Sequence, residues 1–379
     1  MLNEAQFMLQ ALALAREGIA LCSPNPHVGA VIVDTTGNII GRGSHRYEAL
    51  KHAEILALEE AGDRARGSTL YINLEPCSHQ GRTPPCADAV TAAGVARVVA
   101  AMADPNPQVS GKGFEKLVNA GIAVEVGLMA PEARKINEAF AKYIRHCIPL
   151  VTLKTAMTLD GKIAPPPGSR AAAEVADRAS SDWITGEAAR SHVQELRHEN
   201  DAILAGIGTV LADDPLLTDR TGRPRRRPLL RVVLDSHLRL PLDSELVRSA
   251  NDDVLVFCCE EDDKKRKQLE SRSVRVEQIA ANEGHPDLRA VLTRLGELEM
   301  TSLLIEGGSQ VNAAALASGV VDKVFLYYAP KFLGADAVPF ASGPASSQVS
   351  DALQLRCFTL HRFADDFAVE GYLRDPYLS

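Results

Sequence analysis

The stretch that decides the reading is Lys51–Val90, KHAEILALEEAGDRARGSTLYINLEPCSHQGRTPPCADAV. HAEILALEEAG has the spacing of a helix, with Gly62 as its stop. TLYINLE reads as a strand and CADAV as the start of another helix. His52 and Glu54 lie only two residues apart, which on a regular helix puts them roughly 200° apart. They can share a site if His52 stands at the helix entrance and Glu54 in the first turn. Cys77 and Cys86 each follow a proline, Pro76 and Pro85. Cys86 should open its helix, where the dipole favours a thiolate. One imidazole and two thiolates make three ligands and leave a fourth position for water, the pattern of a catalytic zinc site. Glu54 would then be a proton shuttle and not a ligand. The bland alternative, a capping histidine and two small buried cysteines, is weakened by the four residues occurring together. H-x-E…P-C-x-x-C is the zinc deaminase signature; here eight residues separate the cysteines. The expectation is a hydrolytic zinc deaminase domain.

Outward from this stretch the first half alternates strand and helix. VGAVIVD is a buried strand, TTGNIIGRGSH a glycine-rich turn, ARVVAAMAD a strand, GFEKLVNAG a helix and AVEVG a strand. PEARKINEAFAKYIRH reads as one helix that ends at a boundary near Cys147–Pro149. Such alternation predicts an α/β sandwich with mainly parallel strands. The second half restarts with LVTLKTAMTLDGKIA and a Pro/Ala-rich insert expected to be a surface loop. Its later segments, EAARSHVQELRHEN, AILAGIGTVLADD, LLRVVLDS, DVLVFCCE, DLRAVLTRLGEL, SLLIEGGSQVNAAALASG and KVFLYYAPKFLG, give a second α/β domain. The expected domains are 1–146 and 147–379.

With 379 residues, two or three domains are expected. A hydrophobic share of 46% and a charged share of 24% describe an ordinary globular chain. The N-terminal MLNEAQFMLQALALAREG lacks the features of a signal peptide, and no apolar run is long enough to span a membrane. Seven cysteines without a framework spacing suit a reducing cytoplasm. A net charge of −8 argues against nucleic acid as the main partner. The prolines and glycine around GRPRRRP (222–228) make it read as a solvated loop, and EEDDKKRKQLE reads as an exposed helix end.

Over nearly its whole length the sequence resembles the RibD family of bifunctional riboflavin biosynthesis proteins. The residues that carry this are SPNPHVGAVIVD, HAE, LEPCSHQGRTPPCADAV, DPNPQVSGKG, LKTAMTLDGKIA, SDWITG, TVLADDPLLT and IEGGS. EALKHAE and the long insert before Trp183 depart from the usual pattern. The resemblance implies a cytidine-deaminase-like α/β/α sandwich followed by a dihydrofolate-reductase-like α/β domain. It implies zinc and NADPH as cofactors, small phosphorylated pyrimidines as substrates, and a homo-oligomer. It carries cofactor contacts onto Thr155, Trp183, Thr209, Asp213, Ser236 and the run Gly308, Ser309, Gln310, Val311, Asn312, Ala313 and Ala314. Substrate contacts fall on Ser181, Arg197, Leu217, Arg220 and Glu306, with Arg197 and Arg220 as phosphate forks. Asn25, between two prolines, is a candidate for the pyrimidine edge, the alternative being a plain turn. His45 and His79 flank the zinc motif, and Lys112 lies between glycines suited to phosphate. Two other functions compete: a nucleoside or RNA deaminase with a C-terminal binding domain, and a scaffold in which one half has decayed.

Overall fold

The structure is a computed structural model that describes residues 4–78, 85–166, 183–260, 262–343 and 348–378. Ser181, His79 and most of the Pro/Ala-rich insert lie outside the described residues. The chain divides into two compact units. The first is Met1–Cys147 together with Pro224–Arg227; the second is Ile148–Arg223 and Pro228–Ser379.

The first unit runs α1 (Glu4–Arg16), β1 (Gly29–Val33), β2 (Ile39–Ser44), α2 (Ala53–Ala61), β3 (Thr69–Ile72), α3 (Cys86–Ala92), β4 (Arg97–Ala100), α4 (Lys112–Asn119), β5 (Ala123–Val126), α5 (Ala130–Ile136) and α6 (Glu138–His146). The sheet order is β2-β1-β3-β4-β5. Only β3, β4 and β5 are parallel; β1 is antiparallel to both of its neighbours. This corrects the expectation of a mainly parallel sheet. The cause is local: Asp34 accepts the N–H groups of Thr36 and Asn38, and Gly37 takes a positive φ of 91°. The turn is therefore confined to a few residues, and Ile39–Ser44 returns beside β1 as a strand.

The helix expected over 131–146 is broken at Asn137. Its side chain accepts from His27 N and donates to His27 O, so the backbone there leaves the helix. Gly41 and Gly43 let α2 sit directly on β2: a Cβ on either would overlap the carbonyl oxygen of Ala57 or Ala53. α2 meets the sheet through Ala53, Ala57 and Ala61, all buried. Ile32, Leu70, Ile72, Val98 and Leu117 fill the core beneath.

The second unit runs β6 (Leu150–Thr158), α7 (Glu187–Glu199), β7 (Ala202–Gly206), α8 (Ile207–Asp213), β8 (Leu230–Leu234), β9 (Val254–Cys258), α9 (Asp263–Glu270), β10 (Val274–Gln278), α10 (Leu288–Glu297), β11 (Ser302–Ile305), α11 (Ser309–Ala317), β12 (Lys323–Ala329), β13 (Arg356–Phe363) and β14 (Asp366–Tyr372). One sheet joins the strands in the order β10-β9-β8-β7-β11-β6-β12-β14-β13. The seven strands from β10 to β12 are parallel, and β14 and β13 add an antiparallel edge. β7 shows why the parallel part reads as unbroken apolar runs. Ala202 and Leu204 point into one core cluster, Ile203 and Ala205 into the other, so both faces are buried. AILAGIGTVLADD passes from β7 straight into α8, which starts directly after Gly206. No helix among the described residues is long and apolar enough to cross a membrane.

Candidate functional site

In the first unit His52 is the N-cap of α2 and Glu54 lies in its first turn, as the two-residue spacing required. Cys86 is the first residue of α3, behind Pro85. Cys77 Sγ lies 3.4 Å from His52 Nδ1 and 2.9 Å from Cys86 Sγ. One ligand atom from each of the three residues falls within 4.8 Å of the others. The backbone N–H of Cys77 donates to Cys86 Sγ at 3.0 Å, and that of Cys86 donates to Cys77 Sγ at 3.2 Å. Such bonds favour sulfur as thiolate. The neighbouring Cys86 and His52 pull the Cys77 thiol down to about 4, whereas burial holds Cys86 well above its usual range. Glu54 is buried, and burial raises its carboxyl above the usual range. Its Oε2 has no hydrogen-bond partner among the described residues. A soft, compact donor set beside a buried acid with an unused oxygen fits a zinc ion and its water.

The wall beside the candidate metal ligands is built from two segments. Asn25 Nδ2 lies 3.1 Å from His45 Nε2, and His45 Nδ1 lies 2.9 Å from Lys51 O. The carbonyl at Nδ1 makes that nitrogen the donor, so Nε2 accepts from the Asn25 amide. Burial lowers the pKa of His45, which favours its neutral form. Sequence reasoning passed over three residues that hold this wall. Asn73 accepts from Gly29 N and donates to His27 O, and Asn137 grips the same His27. Glu75, buried, accepts from the backbone N–H groups of Asp104, Gly111 and Gly113. A glutamate directly ahead of Pro-Cys, at a strand end, was the available signal. Lys112 donates to Gln108 O.

In the second unit Arg197 donates through Nε and Nη2 to the two oxygens of Glu306, at 2.8 and 3.0 Å. Its Nη1 donates to Thr218 O at 2.9 Å, and Lys154 Nζ reaches Glu306 at 3.4 Å. Arg197, expected to be a phosphate fork, directs two of its donors to the Glu306 carboxylate, whose side chain is 12% exposed; a carboxylate so withdrawn from water demands a paired cation. Arg220 has an exposed side chain, and its backbone N–H donates to Gln194 Oε1. Leu217 is buried with a positive φ of 53°.

Of the expected cofactor contacts, Thr155 and Asn312 meet across β6 and α11 at 3.3 Å. Gly308 caps α11 beside Thr209. Ser309 Oγ and Asn312 Oδ1 are buried with no partner among the described residues, which suits a polar ligand at this turn. Gly307 has no room for a side chain, because Val311 and Asn312 lie against it. Gln310 and Val311 continue α11, followed by Ala313 and Ala314. Trp183 is 54% exposed under the Arg190 guanidinium. Asp213 ends α8 and is exposed. Ser236 is buried near His285, 3.4 Å away.

Burial alone would raise Glu306, but Lys154 and Arg197 outweigh it and hold the carboxyl down at about 2. The ordinary value is about 4.3. Its contribution to stability is therefore complete above the ordinary value and is lost as pH falls towards 2. Melting temperature should fall more steeply between about pH 5 and 2 in the wild type than in Glu306→Gln. Parallel curves would contradict the assignment.

Comparison with known proteins places both units. Residues 1–102 match the cytidine and deoxycytidylate deaminase zinc-binding region, and residues 149–369 match the RibD C-terminal domain. RibD of Escherichia coli is 40% identical over 370 residues, spanning 94% of this chain and 95% of that one. RibD of Aquifex aeolicus is 42% identical over 331 residues, with 87% and 88% covered. Among solved structures, Acinetobacter baumannii RibD superposes with a TM-score of 0.83 at 35% identity, covering 97% of this chain and 98% of that one. A Thermotoga maritima protein described as a diaminohydroxyphosphoribosylaminopyrimidine deaminase and 5-amino-6-(5-phosphoribosylamino)uracil reductase gives 0.81 at 36%, with the same coverage. The two folds expected from the sequence, deaminase-like and then reductase-like, are those of these relatives. The chain belongs to the RibD family of riboflavin biosynthesis proteins, which joins a zinc-binding deaminase domain to a reductase domain.

Proposed function

We propose that the first unit deaminates 2,5-diamino-6-(5-phosphoribosylamino)pyrimidin-4-one. The second unit then reduces the ribosyl group of 5-amino-6-(5-phosphoribosylamino)uracil to ribityl with NADPH. The observation that carries the first step is the His52, Cys77 and Cys86 cluster beside the buried, unpartnered oxygen of Glu54. Zinc held by His52, Cys77 and Cys86 would lower the pKa of a bound water towards neutral. Glu54 would carry one proton of the attacking water to the ring nitrogen as the C–O bond forms, and the second to the amine as the C–N bond breaks, leaving a carbonyl and releasing ammonia. A raised carboxyl serves both directions of this transfer. Asn25, its amide turned by neutral His45, hydrogen-bonds the pyrimidine edge.

In the second unit the N–H groups at the start of α11 favour the cofactor's phosphates, and Thr155 and Asn312 brace that turn. Glu306 and Lys154 form the polar floor for the ribosyl group, with Arg197 holding Glu306 in place. Arg220 takes the substrate phosphate. The assembly is a homo-oligomer working in the cytoplasm, and nucleic acid is not its partner.

Cys77→Ser should abolish stoichiometric zinc. Metal analysis of the purified variant tests this, and a Cys77→Ser protein holding one zinc per chain would overturn the ligand set.

A further inference from the structure

Pro224–Arg227 lies in sequence within the reductase half but belongs to the first compact unit. This differs from the solvated loop expected of GRPRRRP. The Arg226 guanidinium lies 3.6 Å from the centre of the Tyr47 ring. Its Nη1 donates to Ser23 O at 2.7 Å, and its backbone N–H donates to Ala20 O at 2.9 Å. Arg227 Nη2 donates to Ser23 Oγ at 2.9 Å.

One arginine thus touches both segments that build the wall of the zinc site. Ser23 is two residues before Asn25, and Tyr47 is two residues after His45. These segments are joined to each other by Cys22 Sγ donating to His45 O at 2.8 Å, by Tyr47 N donating to Leu21 O at 3.1 Å, and by the Asn25–His45 contact. His45 in turn contacts Lys51 O, next to the ligand His52. A planar guanidinium can lie flat on an aromatic face and still donate in its own plane, so the two contacts are compatible.

We infer that Arg226 is a positioning residue of the deaminase site: it clamps segments 20–25 and 45–47 together and so fixes the Asn25 amide for substrate. The deaminase half is then incomplete at residue 147, because its pocket wall is braced from residues 224–227. This inference rests on the deamination reading above.

The test uses the full chain and the diaminopyrimidine substrate, with Arg226→Ala and Arg226→Lys. Loss of one hydrogen bond and one ring contact should raise the KM for ammonia release by about 10-fold in Arg226→Ala. The kcat, the zinc content and NADPH oxidation with the deaminated substrate should stay at wild-type levels. Arg226→Lys should fall between the two, since an ammonium keeps the ring contact. An unchanged KM in Arg226→Ala would overturn the inference, as would equal losses in both activities. The deamination reading fails separately, if the wild-type chain itself releases no ammonia.

Discussion

Glu54→Gln should keep its zinc and lose ammonia release by about 10²–10⁴-fold. An amide has the size of the carboxyl but cannot take a proton from water and pass it on. Glu54 is suited to the task because it is buried at the first turn of α2, one residue beyond Ala53, whose close packing on Gly43 sets the helix. Burial raises its carboxyl above the usual range, which favours its holding a proton during the transfer. NADPH oxidation with the already deaminated substrate should be unaffected, because Glu306, Lys154 and the Gly308 turn lie in the other unit. Metal analysis, ammonia release and NADPH absorbance on one preparation check all three. Ammonia release within a few-fold of wild type would remove Glu54 from the mechanism.

Arg197→Ala should damage the second unit more than its substrate affinity alone would suggest. Arg197 and Glu306 are each 12% exposed and joined by two hydrogen bonds. Removing one member of a buried pair strands the other, at about 3–5 kcal/mol. For a unit of this size that corresponds to a drop of about 6–20 °C in melting temperature. Glu306 would then keep Lys154 as its remaining named cation. The bond to Thr218 O would also go, freeing the segment that carries Leu217 and Arg220. KM for the reductase substrate should rise by about 10–100-fold, while NADPH affinity, followed by fluorescence, should change little. A variant with wild-type melting and a raised KM alone would restore Arg197 to direct phosphate binding.

The candidate zinc cluster was legible because its signals are local. His52 caps α2 with Glu54 in its first turn, Cys86 opens α3 behind Pro85, and Cys77 follows Pro76 in the loop after β3. The parallel strands of the second unit were legible as apolar runs for the same reason: both faces are buried, and no alternation competes. What escaped was long-range. Asn137 breaks its helix for a hydrogen bond to His27, and nothing near Asn137 in sequence announces that partner. Arg197 reads as a solvated or phosphate-binding arginine until β11 brings Glu306 to it across 109 positions. Arg226 sits in a basic, proline-flanked run whose ordinary fate is solvent, and its contacts lie near Ser23. The β13–β14 hairpin was passed over because Arg356–Phe363 is a largely exposed edge strand with no clean apolar alternation.

The central claim is that one chain carries two chemistries in order, deamination and then reduction. It is tested most directly by mixing the zinc-loaded chain with the diaminopyrimidine substrate and following ammonia and NADPH together. Without NADPH, ammonia should still be released to completion. With NADPH, one equivalent should be oxidised for each ammonia released, and never ahead of it. NADPH oxidation that precedes ammonia, or that proceeds in Glu54→Gln given only the diamino substrate, would contradict the account.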